Sequence, residues 1–326
     1  MNKYLLFICL AACIWLSAGA TMAQTATHDD MYVKYNAYYE NLGKWLDESK
    51  SDLGGRTLSK IKSDAALLMA DEATDLPVAI LSNNTQLLNE EMIFSERKKA
   101  VLIIGKLSSS DPGNPKSKSF DLVGTAFAIS ADGTCVTNFH VLKNIIRPDA
   151  EEGKKDSVYF IITNDKKVYF INKVMAFSKN NDLAVFKVDM HGDKLHPIPF
   201  GKPANIGASV YCISHPLGHF YSFSKGIVAR NASIDPATLG AAYDKNGHAP
   251  IRMEITADYA IGSSGGPILD RYGNLIGVVI STTPISYTGK DGMGNDISFI
   301  QMMVKETAPV KALTELLKIN PRLSSL

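Results

Sequence analysis

The run Gly262-Ser263-Ser264-Gly265-Gly266-Pro267 is the place in this chain where chemistry could start. A hydroxyl on a glycine-rich turn can be approached closely by a substrate, and backbone N–H groups beside it can face a developing oxyanion. The same hexapeptide also fits a plain Ser/Gly loop. A base and an acid to serve Ser264 would separate the two readings. The histidines are His28, His140, His191, His196, His215, His219 and His248. His140 stands at the end of a β-run in Thr137-Asn138-Phe139-His140-Val141-Leu142. A buried carboxylate must then fix the imidazole tautomer and stabilise the imidazolium. Asp182 opens the apolar run Leu183-Ala184-Val185-Phe186, which puts its carboxylate at a strand end. Each residue alone also has an ordinary reading, a lone surface histidine or a turn aspartate before a strand.

Chain order narrows the chemistry. Gly-x-Ser-x-Gly is also the nucleophile elbow of α/β-hydrolases, in which acid and histidine follow the serine. Here the last histidine, His248, precedes Ser264 and no strand–helix alternation flanks the loop, so that reading fails. The order His140, Asp182, Ser264 likewise excludes the subtilisin arrangement, where the acid comes first.

The segment from Gly124-Thr125-Ala126-Phe127 through Val136-Thr137-Asn138-Phe139-His140-Val141 resembles the histidine region of trypsin-like serine peptidases, in particular the bacterial high-temperature-requirement (HtrA) branch. Asn181-Asp182-Leu183-Ala184-Val185 is similar to that family's aspartate motif, and Gly262–Pro267 to its serine motif. Tyr211 to Gly218, with Gly226-Ile227-Val228, resembles the intervening strand pair; the match runs over roughly residues 98–305. The resemblance implies a mainly β fold of two six-stranded antiparallel β-barrels (chymotrypsin-like) with the site in the cleft between them. It implies Ser264 as nucleophile, His140 as general base then acid, Asp182 as its orienter, and the N–H groups of Gly262 and Ser264 as the oxyanion hole. Hydrolysis of polypeptide substrates would pass through an acyl-enzyme on Ser264, with no metal or cofactor.

Two departures from the family pattern matter. Trypsin-like digestive enzymes carry an aspartate just before the nucleophile to pair with a newly cut N-terminus, and Ser263 stands there instead. The chain also ends soon after the protease-like region, so the PDZ domain usual in the HtrA branch, and regulation or assembly through it, is not expected. Specificity stays open between two alignments. An ungapped match to the trypsin serine motif puts Asp258 at the floor of the primary pocket, where it would favour Lys or Arg by charge pairing. The HtrA pattern reads Asp258-Tyr259-Ala260-Ile261 with a small deletion and no such role. By the same resemblance Ile280, Ser281 and Thr282 line the substrate strand and pocket wall. His215 and His219 are spaced as in some zinc sites, but no third and fourth ligand stands at suitable spacing. Cys135 and Cys212 lie in apolar runs of the two implied barrels and read as buried thiols, although an exported setting permits a disulfide.

Positioning these residues requires many short strands. From about residue 98 the chain shows β-rich runs, among them Val101–Ile104, Val123–Ser130, Val158–Thr163, Val168–Val174, Leu183–Val188, Val210–Ile213, Ile251–Thr256, Leu275–Ser281 and Ile297–Met303. Asn164-Asp165 and Tyr272-Gly273-Asn274 supply hairpin turns. Upstream, residues 24–91 read as helical: Val33, Ala37, Tyr38, Leu42, Trp45 and Leu46 recur at helical spacing until Gly54-Gly55, and Leu58, Ile61, Ala65, Leu68 and Met69 form a second stripe. At the other end Thr307 is placed as N-cap of a C-terminal helix with Val310, Leu313 and Leu317 on one face, stopped by Asn320-Pro321.

The 326 residues hold 34 Lys plus Arg against 33 Asp plus Glu, a formal charge of +1, which argues against a nucleic-acid binder relying on a basic face. At 45% hydrophobic residues the chain can bury a sizeable core. Lys3 followed by the apolar stretch Tyr4–Leu16 and small residues up to Ala23 has the pattern of a cleaved export signal. An uncleaved anchor or a lipoprotein signal at Cys13 ranks below it. The organisation expected is therefore a signal over 1–23, a helical region over 24–91, and a protease domain over 92–320 that includes the C-terminal helix. The function expected is an exported (periplasmic or secreted) serine endopeptidase without a stable membrane span, its oligomeric state unspecified. The alternative is a catalytically silent protease-like binding or chaperone module.

Overall fold

A computed structural model of the protein describes residues 32–48, 58–72, 74, 76, 78–109, 118–146, 157–239, 243 and 247–318. The export signal over residues 1–23 and the Gly54-Gly55 break lie outside the described residues. The chain divides into two units, Met1–Tyr39 and Glu40–Leu326. In the first, Lys34 and Tyr35 carbonyls accept the Ala37 and Tyr38 N–H groups (3.1 and 3.0 Å) where α1 (Asn36–Glu48) begins. The second unit holds two barrels.

The first barrel is built from β1 (Val101–Ser109), β2 (Lys118–Ala128), β3 (Thr134–Thr137), β4 (Ser157–Ile162), β5 (Val168–Ser178) and β6 (Leu183–Val188). All pairs are antiparallel and the sheet closes in the order β1-β2-β3-β6-β5-β4. The second uses β7 (Ser209–Ser214), β8 (Ser222–Ser233), β9 (Ile251–Ile255), β10 (Pro267–Leu269), β11 (Leu275–Lys290) and β12 (Asp296–Pro309), closing as β10-β11-β12-β9-β8-β7. Closure pairs the edges that an open sheet would leave to other chains. Inward side chains fill each barrel, with Leu102, Ile104, Ala126, Phe177 and Phe186 in one core and Val210, Val228, Ile268, Ile276 and Val279 in the other. Cys135 and Cys212 are free and buried, one in each core, and burial pushes both thiols up, that of Cys212 to about 12. Neither is a reactive thiolate.

Helices brace the barrels. Ile61 and Ala65 of α2 (Leu58–Ala66) enter the first core. The α3 helix (Glu90–Arg97) is capped by Asn89 Oδ1, which accepts the Met92 N–H at 2.8 Å, with Glu90 and Glu91 against the positive end of its dipole. Asn164-Asp165 and Tyr272–Asn274 lie between β4 and β5 and between β10 and β11, where hairpin turns were expected.

Three local expectations are corrected. β3 stops at Thr137, and His140 belongs not to a strand end but to the first turn of α4 (Phe139–Ile146). Phe139, Val141, Leu142, Ile145 and Ile146 of that helix are buried, and the Phe139 ring stacks on Phe177 at 5.3 Å, so packing overrides the β-like texture. Thr307 does not cap the C-terminal helix α5 (Val310–Leu316). It is buried in β12, donating Oγ1–H to the Met253 carbonyl (2.6 Å), and Pro309 occupies the cap position. Finally, β11 runs well beyond Ser281, to Lys290, and β12 runs from Asp296 well beyond Met303, to Pro309, so the two form a long hairpin.

Candidate active site

The helix α4 turns His140 outward because its neighbours Phe139, Val141 and Leu142 are taken by the core. The turn between β5 and β6 delivers Asp182 in a left-handed conformation (φ 52°), which Asp tolerates better than most residues. One carboxylate oxygen accepts the His140 backbone N–H at 2.9 Å and the other lies 2.7 Å from Nδ1. A carboxylate only accepts, so Nδ1 carries a proton, and in the neutral ring the lone pair is on Nε2. The carboxylate is mostly buried while the imidazole is half exposed, so the pair opens to solvent on the Nε2 side.

The Asp182 turn is clamped from several directions. The buried Asn138 side chain donates Nδ2–H to the Asp182 carbonyl at 2.8 Å. Asp71, from the stretch after α2, accepts Ser178 Oγ–H (2.5 Å) and the Asn180 N–H (3.0 Å). From the second barrel, the buried Arg252 donates to the Asn180 carbonyl at 3.0 Å, and the Ile251 N–H donates to Asn181 Oδ1 at 3.2 Å. Burial lowers the Arg252 guanidinium from its ordinary value, against the carboxylates of Glu306 and Asp182, which raise it.

The serine turn belongs to the second barrel and is bolted to the first by Thr125 of β2. The Thr125 N–H donates to the Ser264 carbonyl (2.9 Å), and its Oγ1–H donates to the Gly262 carbonyl (2.8 Å). Thr137 Oγ1–H in turn donates to the Thr125 carbonyl at 2.8 Å. Gly265 (φ 83°) sits so close to this pair that a Cβ there would meet Thr125 O and Thr137 Oγ1 at 2.3 Å. These contacts bring Ser264 beside the strand that leads into α4 and His140. Among the described residues, no hydrogen bond joins Ser264 Oγ to the imidazole.

Within the turn, the N–H groups of Ser263, Gly265 and Gly266 are spent on Ala260 O, Val279 O and Ser263 O. Those of Gly262 and Ser264 donate to no acceptor among the described residues. The Gly262 N–H is aimed by its own peptide, because the Ile261 carbonyl accepts the Leu217 N–H at 2.7 Å and a trans peptide points its N–H the opposite way. A Cβ on Gly262 (φ 94°) would lie 2.6 Å from the His215 carbonyl, so this approach needs glycine. Ser263 is buried, its Oγ accepting from Ser214 Oγ–H (2.9 Å) and from the Ala260 N–H (3.3 Å).

His215 is not placed as a metal ligand. It is buried, with Nδ1 accepting the Tyr221 N–H at 3.0 Å and its ring against Tyr221 and Phe220. Burial pushes its pKa down to about 3. Among the described residues no group of three His, Cys, Asp or Glu side chains could hold a metal ion. Asp258 is exposed, with a carboxylate oxygen 2.6 Å from Lys305 Nζ. Ile280 is nearly buried; Ser281 is half-buried, donating Oγ–H to Glu306 (3.0 Å), beside Thr282.

Two antiparallel six-stranded barrels, one contributing a histidine–aspartate pair and the other a glycine-rich serine turn, define the chymotrypsin-like class. Residues 124–278 match the family described as "Trypsin-like peptidase domain", and the chain carries that domain, with HtrA-type homologues. Protease Do-like 1, chloroplastic, from Arabidopsis thaliana is 32% identical over 160 residues, covering 48% of this chain and 32% of that protein. Protease Do-like 5, chloroplastic, from the same plant is 27% identical over 199 residues, 57% of this chain and 58% of that one. The HtrA-type protease AlgW, solved with a decapeptide, superposes with a TM-score of 0.52 at 19% identity, over 71% of this chain and 67% of that chain. This chain therefore spans about a third to three-fifths of the length of these two plant relatives. No helix among the described residues is long and apolar enough to cross a membrane.

Proposed function

We propose that the protein is an exported serine endopeptidase in which His140, Asp182 and Ser264 act as a triad. The observation that carries the reading is the two-point grip of Asp182 on His140, which holds the ring by its backbone N–H and by Nδ1 and leaves Nε2 out of the pair. In the proposed cycle, Nε2 takes the Ser264 Oγ proton as Oγ bonds to the scissile carbonyl carbon. The oxyanion is held by the N–H groups of Gly262 and Ser264. The imidazolium, stabilised by Asp182, then protonates the leaving amine as the C–N bond breaks and leaves an ester on Ser264. Water attacks that ester with His140 again as base, releasing the acid and restoring the hydroxyl. Ser263, hydrogen-bonded to Ser214, stands before the nucleophile in place of an aspartate, so activation through an ion pair to a cut N-terminus is not expected.

Polypeptide substrates would lie along Ile280, Ser281 and Thr282. Lys305 already neutralises Asp258, so a cleavage-site Lys or Arg gains no charge pairing there. The absence of a Ser264–His140 hydrogen bond favours the second reading, a protease-like module that binds without cutting. Catalytic hydrogen bonds in unliganded sites are often long and close only around substrate. Hydrolysis of an unfolded protein decides between them: cleavage lost by at least about a thousandfold in both Ser264→Ala and His140→Ala supports the enzyme. No cleavage by the intact protein, or cleavage surviving either change, overturns it. A peptide set varied at the cleavage residue should show no Lys or Arg preference.

A further inference from the structure

The described residues between α2 and α3 take no part in the cycle above, yet they are tied to both barrels. Leu68 packs on the first core beside Ile61 and Ala65. Further on, the Thr74 N–H donates to the Leu316 carbonyl of α5 (2.8 Å). Asn84 then exchanges two hydrogen bonds with Asn274 of the second barrel, at 2.7 and 2.9 Å. Between Leu68 and Thr74, Asp71 meets the end of β5, the strand that leads to Asp182. Its N–H donates to the Phe177 carbonyl (3.1 Å), and its Oδ1 accepts Ser178 Oγ–H (2.5 Å) and the Asn180 N–H (3.0 Å). Ser178 Oγ in turn accepts the Asn181 N–H at 2.9 Å. Asp71 and Asp182 are both left-handed, at φ 58° and 52°. Such a conformation persists where surrounding contacts over-determine it. Inside the turn, the Asp182 N–H lies 3.4 Å from the Lys179 carbonyl, a long bond. The shorter bonds come from outside: Asp71 on one side, Arg252 and Ile251 of the second barrel on the other.

We propose that Asp71 is a positioning residue for the His140–Asp182 pair, and that the N-terminal stretch carrying it is part of the working site. By accepting from Ser178 and Asn180, it fixes the turn in which the Asp182 carboxylate faces both the backbone N–H and Nδ1 of His140. Without that acceptor the N–H of Asn180, a buried residue, loses this partner. The turn then relaxes toward the right-handed region that residues other than glycine prefer, and the carboxylate swings off the ring. The effect is one of geometry more than charge, because both bonds end on one oxygen, and an amide offers the same acceptor. This role rests on Asp182 orienting His140, as proposed above.

Variants of the full chain test this. Asp71→Ala removes the acceptor, Asp71→Asn keeps it without the charge, and Ser178→Ala removes the bridging hydroxyl. One readout is proton NMR of protein carrying nitrogen-labelled histidine, in which an Nδ1–H donated to a carboxylate is shifted far downfield. Its absence in His140→Ala assigns it. The other readout is kcat and KM for peptide hydrolysis, with thermal unfolding alongside. Asp71→Ala should lose the downfield proton and lower kcat by about 10- to 100-fold, with KM changed by no more than about twofold. Asp71→Asn should keep the proton and hold kcat within about threefold of native. Ser178→Ala should fall between them, and it decides if Asp71→Ala does not fold. A folded Asp71→Ala with the native proton and native kcat overturns the proposal. So does damage in Asp71→Asn equal to that in Asp71→Ala, or losses that only follow the unfolding temperature. The proton is read without turnover, so a native chain that shows it yet cuts nothing fails the enzyme reading alone, and the variants still decide the role of Asp71.

Discussion

Asp182→Asn changes little in shape and tests the proposed geometry closely. Asn tolerates the left-handed backbone at this position (φ 52°), so the turn should keep its conformation. The carboxylate now accepts both the His140 backbone N–H and Nδ1–H, at 2.9 and 2.7 Å. An amide has one acceptor oxygen. If that oxygen keeps the backbone N–H, the NH2 group faces Nδ1, which must become the acceptor, and the ring proton moves to Nε2. There it blocks the lone pair that should take the Ser264 proton. The reverse orientation sets NH2 against a backbone N–H and costs more. The expected result is a folded protein with the wrong tautomer, its kcat/KM down by about 10³–10⁴, or about 4–5.5 kcal/mol of transition-state stabilisation. Loss of the charge-assisted bond should also cost about 1–3 kcal/mol of stability. Peptide hydrolysis across a pH series, with thermal unfolding in parallel, reads both. Activity within tenfold of the native protein would refute the argument, because the imidazole would then not depend on Asp182 for its orientation.

Gly262→Ala should lower kcat by about 10²–10³ with the fold retained, since the added Cβ collides with the His215 carbonyl and displaces an oxyanion donor; steady-state kinetics with circular dichroism checks it. His215 is held neutral, with its pKa at about 3 against an ordinary 6.5. The unfolded chain therefore binds more protons between those values, and the stability His215 contributes is complete above about 6.5 and lost as pH falls toward 3. His215→Asn, whose Oδ1 can still accept the Tyr221 N–H, should flatten the fall in unfolding temperature over that window relative to the native protein. Equal pH slopes for the two would count against this burial.

The order of His140, Asp182 and Ser264 and most barrel strands were legible because short apolar runs broken by Gly, Asn and Asp mark strands directly. Helix α4 was not: β3 and the helix follow each other within Val136 to Leu142, a short mixed stretch with Thr137, Asn138 and His140 in it, and periodicity over so few residues cannot tell a short helix from a strand. The length of the β11–β12 hairpin was hidden by Pro284 and Gly289, which read as strand breakers yet are tolerated where an arm has an unpaired edge. The clamps on the site were invisible for another reason. Thr125 reaches Gly262, Asp71 reaches Asn180 and Arg252 reaches the same loop across long stretches of chain, and no local pattern marks such a contact. Thr125 did stand within the recognised histidine motif, but only as a flanking letter.

The central claim is that Ser264 is a nucleophile activated by His140. A fluorophosphonate reacts with such a hydroxyl by forming an O–P bond and releasing fluoride, and mass spectrometry of the digested protein locates the adduct. The account predicts one adduct, on the peptide containing Ser264, abolished in Ser264→Ala and in His140→Ala. An intact protein that takes no label, or a label that persists after Ser264→Ala, would contradict it.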